Sequence, residues 1–134
     1  MNKYFKCLSC GKIVEVIKSS SNPNIVCCNK DMVELKPNTA EAAVEKHQPV
    51  IVRDGNVVTV KVGEVAHPML DNHYIEFIIL DTKKSHQRVD LKPGDAPEAK
   101  FFIADDDEVL DALAYCNLHS LWLNKWWSQT TKYS

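Results

Sequence analysis

The chain lacks a long apolar run. Its longest are a few residues, against the roughly 20 that a membrane-crossing helix needs, so no transmembrane helix is expected. It also lacks an excess of charge of either sign. Sixteen basic and 18 acidic residues leave a formal net charge of −2, which gives no global attraction to nucleic acid or to anionic lipid. Behind the start Met1-Asn2-Lys3-Tyr4-Phe5-Lys6 there is no apolar core. No secretory leader is therefore expected, and a reducing compartment is the default. Internal repeats and low-complexity segments are missing too. Finally, five cysteines cannot form a complete intramolecular disulfide set.

What is present is ligand chemistry. Five cysteines and five histidines occupy 134 residues of otherwise ordinary globular composition, 45% hydrophobic and 25% charged. They are unevenly spread. Cys7, Cys10, Cys27 and Cys28 lie in the first 28 residues, His47, His67, His73 and His86 follow, and Cys116 and His119 close the series. A boundary is expected at Lys36-Pro37-Asn38-Thr39, where Pro interrupts a strand and Asn suits a turn. It divides the chain into domains 1–37 and 38–134. A segment as short as the first cannot build a sufficient apolar core alone and needs a metal or disulfides.

Strand signals dominate. Ile13–Ile17 is β-branched, Ser19–Pro23 is a turn, and Asn24–Val26 returns as a second short strand. Ala40–Val44 reads as one helical turn or a loop. Pro49–Arg53 and Val57–Val62 flank Asp54-Gly55-Asn56, a hairpin signal. Strands are also expected at His73–Leu80, Gln87–Leu91 and Ala99–Ile103. Asp105–Ala114 is expected to be helical, since acidic residues open it and Val109, Leu110 and Leu113 share a helical face. Leu121–Trp127 reads as a final strand or an interface. The fold class is mainly β, with a β-sandwich after the small first module.

Cys7-Leu8-Ser9-Cys10-Gly11 is a C-x-x-C knuckle whose two thiolates suit one tetrahedral metal. The second pair, Cys27-Cys28, is adjacent. Neighbours on a strand point to opposite faces, so both reach one metal only where the backbone bends. A Cys₄ site of this kind accepts zinc or iron. A structural zinc knuckle and free or disulfide-bonded cysteines are the alternatives. His47, His67, His73, Cys116 and His119 sit beside loop breakers, where strand ends can converge on one rim. Taken singly, each histidine is more often a surface or hydrogen-bonded residue than a ligand. Spacing alone does not decide whether the five share an ion; if they do, four imidazoles and one thiolate exceed the usual four ligands of structural zinc and favour iron with one position open. His86, in a polar turn, keeps the surface reading.

These residues resemble one family, the desulfoferrodoxins, or two-iron superoxide reductases. The matching stretches are Cys7-x-x-Cys10-Gly11, Cys27-Cys28, Glu45-Lys46-His47-x-Pro49-Val50, Val65–Met69, His73–Glu76, Leu91–Ala99 and Tyr115–His119. The resemblance implies a desulforedoxin-like domain over 1–37, holding one iron through Cys7, Cys10, Cys27 and Cys28. It implies an immunoglobulin-like antiparallel β-sandwich over 38–134, holding a catalytic iron through equatorial His47, His67, His73 and His119 and axial Cys116. It thus implies two Fe ions per chain, of which the catalytic one would reduce superoxide by one electron to hydrogen peroxide without releasing oxygen. Lys46 would steer the anion and order a proton-donating water, and Glu45 would occupy the sixth position of the oxidised iron. The family also implies a rubredoxin-type electron donor, a homodimer and the cytoplasm. Asn29 and Ser120 stand where the family usually has glycine, and the tail after Trp122 is longer than expected. The competing readings are a non-haem iron electron-transfer protein without superoxide turnover and a zinc-stapled binding module.

Overall fold

The computed structural model describes residues 1–127; the end of the expected second domain, 128–134, lies outside the described residues. The chain divides into two compact units, Met1–Lys36 and the residues from Pro37 onward. Among the described residues, no helix is long and apolar enough to cross a membrane.

The first unit is built from very short strands. β1 (Lys3–Lys6) is central to a three-stranded sheet, pairing antiparallel with β2 (Ile13–Val16) on one side and β5 (Val33–Glu34) on the other. A separate two-residue hairpin joins β3 (Val26–Cys27) to β4 (Lys30–Asp31). β1, β4 and β5 carry no sequence pattern long enough to announce them. The unit's apolar cluster is small: Phe5, Cys7 and Met32, with Val14, Val16, Ile25 and Cys27 against it. One of its core residues is thus itself a candidate ligand, in line with a module too small to fold on apolar burial alone.

The second unit is a sandwich of two antiparallel sheets. After the single helical turn α1 (Val44–His47), β6 (Pro49–Asp54) and β7 (Val57–Val62) form the hairpin around Gly55, whose φ is +61°. β10 (Glu98–Phe102) completes that sheet in the order β10-β7-β6. The facing sheet has the order β12-β11-β8-β9, from β8 (Ile75–Thr82), β9 (His86–Asp90), β11 (Val109–Cys116) and β12 (Ser120–Lys125). Alternation on β7 turns Val58, Val60 and Val62 inward, where they meet Ile75, Ile78 and Leu80 from β8 and Ala112 and Ala114 from β11.

The expected helix over Asp105–Ala114 is not formed. β11 lies between β8 and β12, and it buries Val109 and the whole run from Ala112 to Cys116. A strand covered on both faces reads as a continuous apolar stretch, which periodicity does not separate from a helix. The acidic residues ahead of it make a turn instead. The Asp107 carboxylate accepts from the Thr82 hydroxyl at 2.6 Å and from the backbone N–H groups of Glu108 and Lys84 at 2.8 and 3.1 Å. These donors offset its burial and hold its pKa below the usual carboxylate range. Asn38, with φ at +63°, exchanges two side-chain hydrogen bonds with the backbone of Leu123 and so ties the start of the unit to β12.

Candidate metal centres

In the first unit, the knuckle and the hairpin bring four thiols together. Cys7, Cys10, Cys27 and Cys28 place their sulfurs within 4.8 Å of one another. The knuckle turn is closed by the Gly11 N–H donating to the Cys7 carbonyl at 2.8 Å, with Gly11 at φ +82°. The adjacent pair reaches the same point because its backbone bends sharply: Cys28 and Asn29 have φ of +53° and +59°. Two successive left-handed residues cancel the alternation that would send neighbouring side chains to opposite faces. Asn29 takes this conformation at low cost, because its short polar side chain tolerates it.

The thiols polarise one another. The Cys10 backbone N–H aimed at Cys7 lowers its pKa to about 6, whereas hydrogen bonding to Cys7 and Cys10 pushes Cys28 up to about 12 and also raises Cys27. One thiolate forms easily, and a full set requires a cation among them. That is the donor chemistry of a Cys₄ metal site.

In the second unit, ligands converge from four places: α1, the loop after β7, the turn before β8, and the β11–β12 hairpin. His47, His67, His73 and Cys116 offer donor atoms that all lie within 4.8 Å of one another. His119 adjoins them through Nδ1, which is 3.1 Å from His47 Nε2 and 3.8 Å from Cys116 Sγ. The rings of His47 and His67 meet edge to face at 4.6 Å, and those of His73 and His119 at 5.2 Å.

The tautomers follow from the partners. Nδ1 of His47 lies 2.7 Å from the Ala43 carbonyl and Nδ1 of His67 lies 2.7 Å from the Pro68 carbonyl. A carbonyl only accepts, so both Nδ1 atoms carry the proton and both Nε2 atoms present lone pairs. Those two Nε2 atoms face each other at 3.1 Å. Nε2 of His73 is buried with no partner. Burial holds His47, His67 and His73 below their ordinary pKa, His67 down to about 4. Neutral imidazoles with converging lone pairs, one of them orphaned, beside a buried thiol make a donor set that a soft-to-borderline cation satisfies. Burial raises the Cys116 thiol, and the backbone N–H groups of Leu118 and His119 act against it.

The sequence of the second unit, residues 39–125, matches the family profile described as Desulfoferrodoxin, and residues 1–35 match the profile for its N-terminal domain. The chain belongs to the desulfoferrodoxin family. A desulfoferrodoxin homolog from Archaeoglobus fulgidus is 47% identical over 119 residues, 88% of this chain and 92% of that protein. The desulfoferrodoxin of Nitratidesulfovibrio vulgaris is 46% identical over 123 residues, 90% of this chain and 95% of that one. Among solved structures, the superoxide reductase from Treponema pallidum superposes with a TM-score of 0.80 at 35% identity, covering 93% of this chain and 99% of that one. As a desulfoferrodoxin, the chain presents the two donor groups of a two-iron protein, Cys₄ and histidine–cysteine.

Glu45 and Lys46 are exposed on α1, outside both donor groups. Lys46 is close enough for its charge to help lower the pKa of His47. His86 stays apart at the start of β9, in contact with the Asp81 carboxylate. Two positioning residues carried no sequence signal. Trp122 is buried, packs against His47 with ring centroids 5.1 Å apart and the planes tilted by 35°, and donates its indole N–H to the His119 carbonyl at 2.9 Å. Gly63 lies beneath α1, where a Cβ would come within 2.7 Å of the Glu45 carbonyl oxygen.

Proposed function

We propose that this chain is a superoxide reductase in which His47, His67, His73 and His119 with Cys116 hold the catalytic iron, and Cys7, Cys10, Cys27 and Cys28 hold a second iron. The observation that carries the reading is the facing pair of Nε2 lone pairs on His47 and His67 beside the orphaned Nε2 of His73. Family membership and the likeness to the Treponema pallidum superoxide reductase support it.

The net reaction takes one superoxide, one electron and two protons to one hydrogen peroxide. Iron, when bound, supplies the electron and an open coordination position for the anion. The chain's residues do the rest. Lys46 attracts the anion locally and, through its ammonium protons, orders a water that delivers a proton to it. Glu45, one residue before and exposed, would offer the iron a carboxylate ligand that helps product to leave. The Cys116 sulfur, restrained by two backbone N–H groups, would be the thiolate ligand that lends electron density to the iron. Trp122, packed on His47, keeps water from the back of the site. A rubredoxin-type protein is the proposed donor and a homodimer in the cytoplasm the proposed state.

The test is stoichiometric. Superoxide supplied to reduced protein should yield one peroxide per superoxide and no oxygen. Oxygen evolution would mean dismutation. Absence of consumption above the spontaneous rate would leave the electron-transfer reading in its place.

A further inference from the structure

The ligands of the histidine–cysteine centre arrive on separate segments, and two of these segments meet end to end. His73 lies in the turn before β8, and Cys116 and His119 lie in the β11–β12 hairpin. The β8–β11 ladder stops at Ile75 opposite Cys116, after a register shift between Tyr115 and Cys116. One step further, Asn117 continues the pairing with its side chain. Its backbone N–H donates to the Tyr74 carbonyl at 3.2 Å, its Oδ1 accepts the Tyr74 N–H at 2.9 Å, and its Nδ2 donates to the Asn72 carbonyl at 3.1 Å. A primary amide presents a donor and an acceptor side by side, the complement of the C=O and N–H it meets here.

Asn72 and Tyr74 stand on either side of His73. The other polar groups of the two peptide units that flank His73 belong to Leu70. The His73 N–H donates to the Leu70 carbonyl at 3.2 Å, and the His73 carbonyl accepts from the Leu70 N–H at 2.9 Å. Each flanking peptide is thus held at one end by Leu70 and at the other by the Asn117 amide, which fixes both soft dihedrals of His73. Leu70 belongs to the same turn as His73, whereas Asn117 ties that turn to the one carrying Cys116 and His119. His47 and His67 are oriented through ring Nδ1 atoms set on carbonyls. Nε2 of His73 is buried with no partner, and the grip on this histidine lies on its backbone. We infer that Asn117 is a positioning residue of the histidine–cysteine centre: its side-chain amide locks the backbone around His73 to the Cys116–His119 turn, so that these three ligands keep one mutual geometry. It acts through His73 and not on the anion. The inference rests on the ligand set assigned under the proposed function.

The test uses the full-length two-iron protein, with the Cys₄ iron as internal reference, and reads chelator competition, absorption and amide hydrogen exchange. Asn117→Ala should weaken iron retention at the histidine–cysteine site by about tenfold. It should also shift the thiolate-to-iron band of that site and speed exchange of the Tyr74 N–H, with the Cys₄ colour unaltered. In a His73→Gln background the same substitution should add no further loss of iron, because the ligand it aims is gone. A merely structural role would cost as much in both backgrounds. Asn117→Asp keeps an acceptor for the Tyr74 N–H and removes the donor to Asn72. It should keep the Tyr74 amide protected and shift the band less than alanine does, and it carries the comparison if the alanine variant does not fold. Unchanged iron retention with an unmoved band, or equal losses with and without His73, would overturn the inference. If His73→Gln alone leaves iron retention unchanged, the ligand assignment fails and this inference with it. If His73→Gln weakens retention while Asn117→Ala does not, the ligand assignment stands and Asn117 loses its role. Peroxide yield enters none of these readouts, so a failure of turnover falls on the proposed function alone.

Discussion

Nε2 of His47 and Nε2 of His67 face each other at 3.1 Å with both Nδ1 protons already given to backbone carbonyls. Two lone pairs at that distance repel unless a cation or a proton lies between them. Because burial holds His67 near a pKa of about 4, its imidazole stays neutral, and able to bind metal, through mildly acidic solution. Iron should therefore remain at the histidine–cysteine site down to about pH 5 and be released as pH falls further and protons compete for the rings. Chelator-trapped iron measured across pH checks this. Release centred near pH 6.5, the ordinary histidine value, would contradict it.

Trp122 bridges two of these ligands. Trp122→Phe keeps a ring over His47 and removes the hydrogen bond to the His119 carbonyl, a loss of about 1 kcal/mol. Trp122→Ala also leaves a cavity and should cost about 3–5 kcal/mol. Thermal unfolding gives the magnitudes. The thiolate-to-iron absorption band should shift in the Phe variant, which a role in core packing alone would not produce.

Gly63 supports α1 from below. In Gly63→Ala the new methyl would lie 2.7 Å from the Glu45 carbonyl and 3.0 Å from that of Gln48, both backbone atoms that cannot rotate away. Overpacking of this kind costs about 1–3 kcal/mol. The segment that gives way carries His47, so weaker iron retention and slower superoxide consumption should accompany the lower melting temperature. Unchanged iron affinity would show that α1 moves without its histidine.

Lys46 is exposed on α1. Lys46→Ala should lower the bimolecular rate with superoxide by about tenfold at low salt and weaken its ionic-strength dependence. Pulse-radiolysis rates at several salt concentrations measure both. A rate and slope equal to those of the unaltered protein would remove Lys46 from the proposed capture step.

Asp111 lies opposite Asp81 across β11 and β8 and opposite Lys125 on β12. Burial and the Asp81 carboxylate raise its pKa to about 6 from an ordinary 3.8. The folded state therefore holds a proton that the unfolded state gives up earlier. Stability from this group is full below about pH 4 and declines as pH rises through 6. Asp111→Asn should raise the melting temperature at pH 7 and change it little at pH 4. A gain of equal size at both would point to packing instead of charge.

Which parts of this architecture the sequence announces depends on length and locality. The C-x-x-C knuckle and the Asp54-Gly55-Asn56 hairpin are short local patterns, and both turns form where expected; the spaced histidines admit a surface reading that only the fold removes, by bringing His47, His67 and His73 together with Cys116. β4 and β5 are two residues long and exist through their partners, so nothing in their composition marks them. β11 misleads because it is buried on both faces. Trp122 and Gly63 act through tertiary proximity to His47, which no spacing encodes. Asn29 and Ser120, neither of them glycine, both take left-handed backbone, with φ of +59° and +66°, at the turns that carry Cys28 and His119.

Each centre contains one pair of ligands three residues apart, Cys7 with Cys10 and Cys116 with His119. Both pairs lie in tight turns, and the second turn is closed by the cross-strand match of Cys116 with Ser120. These pairs meet through local contacts, which form early, whereas His47 and His67 arrive by long-range pairing, which is slow. Each unit thus offers a two-pronged foothold for an ion before its remaining ligands close in. Iron present during refolding should be captured faster than iron added to the finished fold, where His47 and His67 are already buried. Order of addition, then, becomes a property of the fold that uptake kinetics can read.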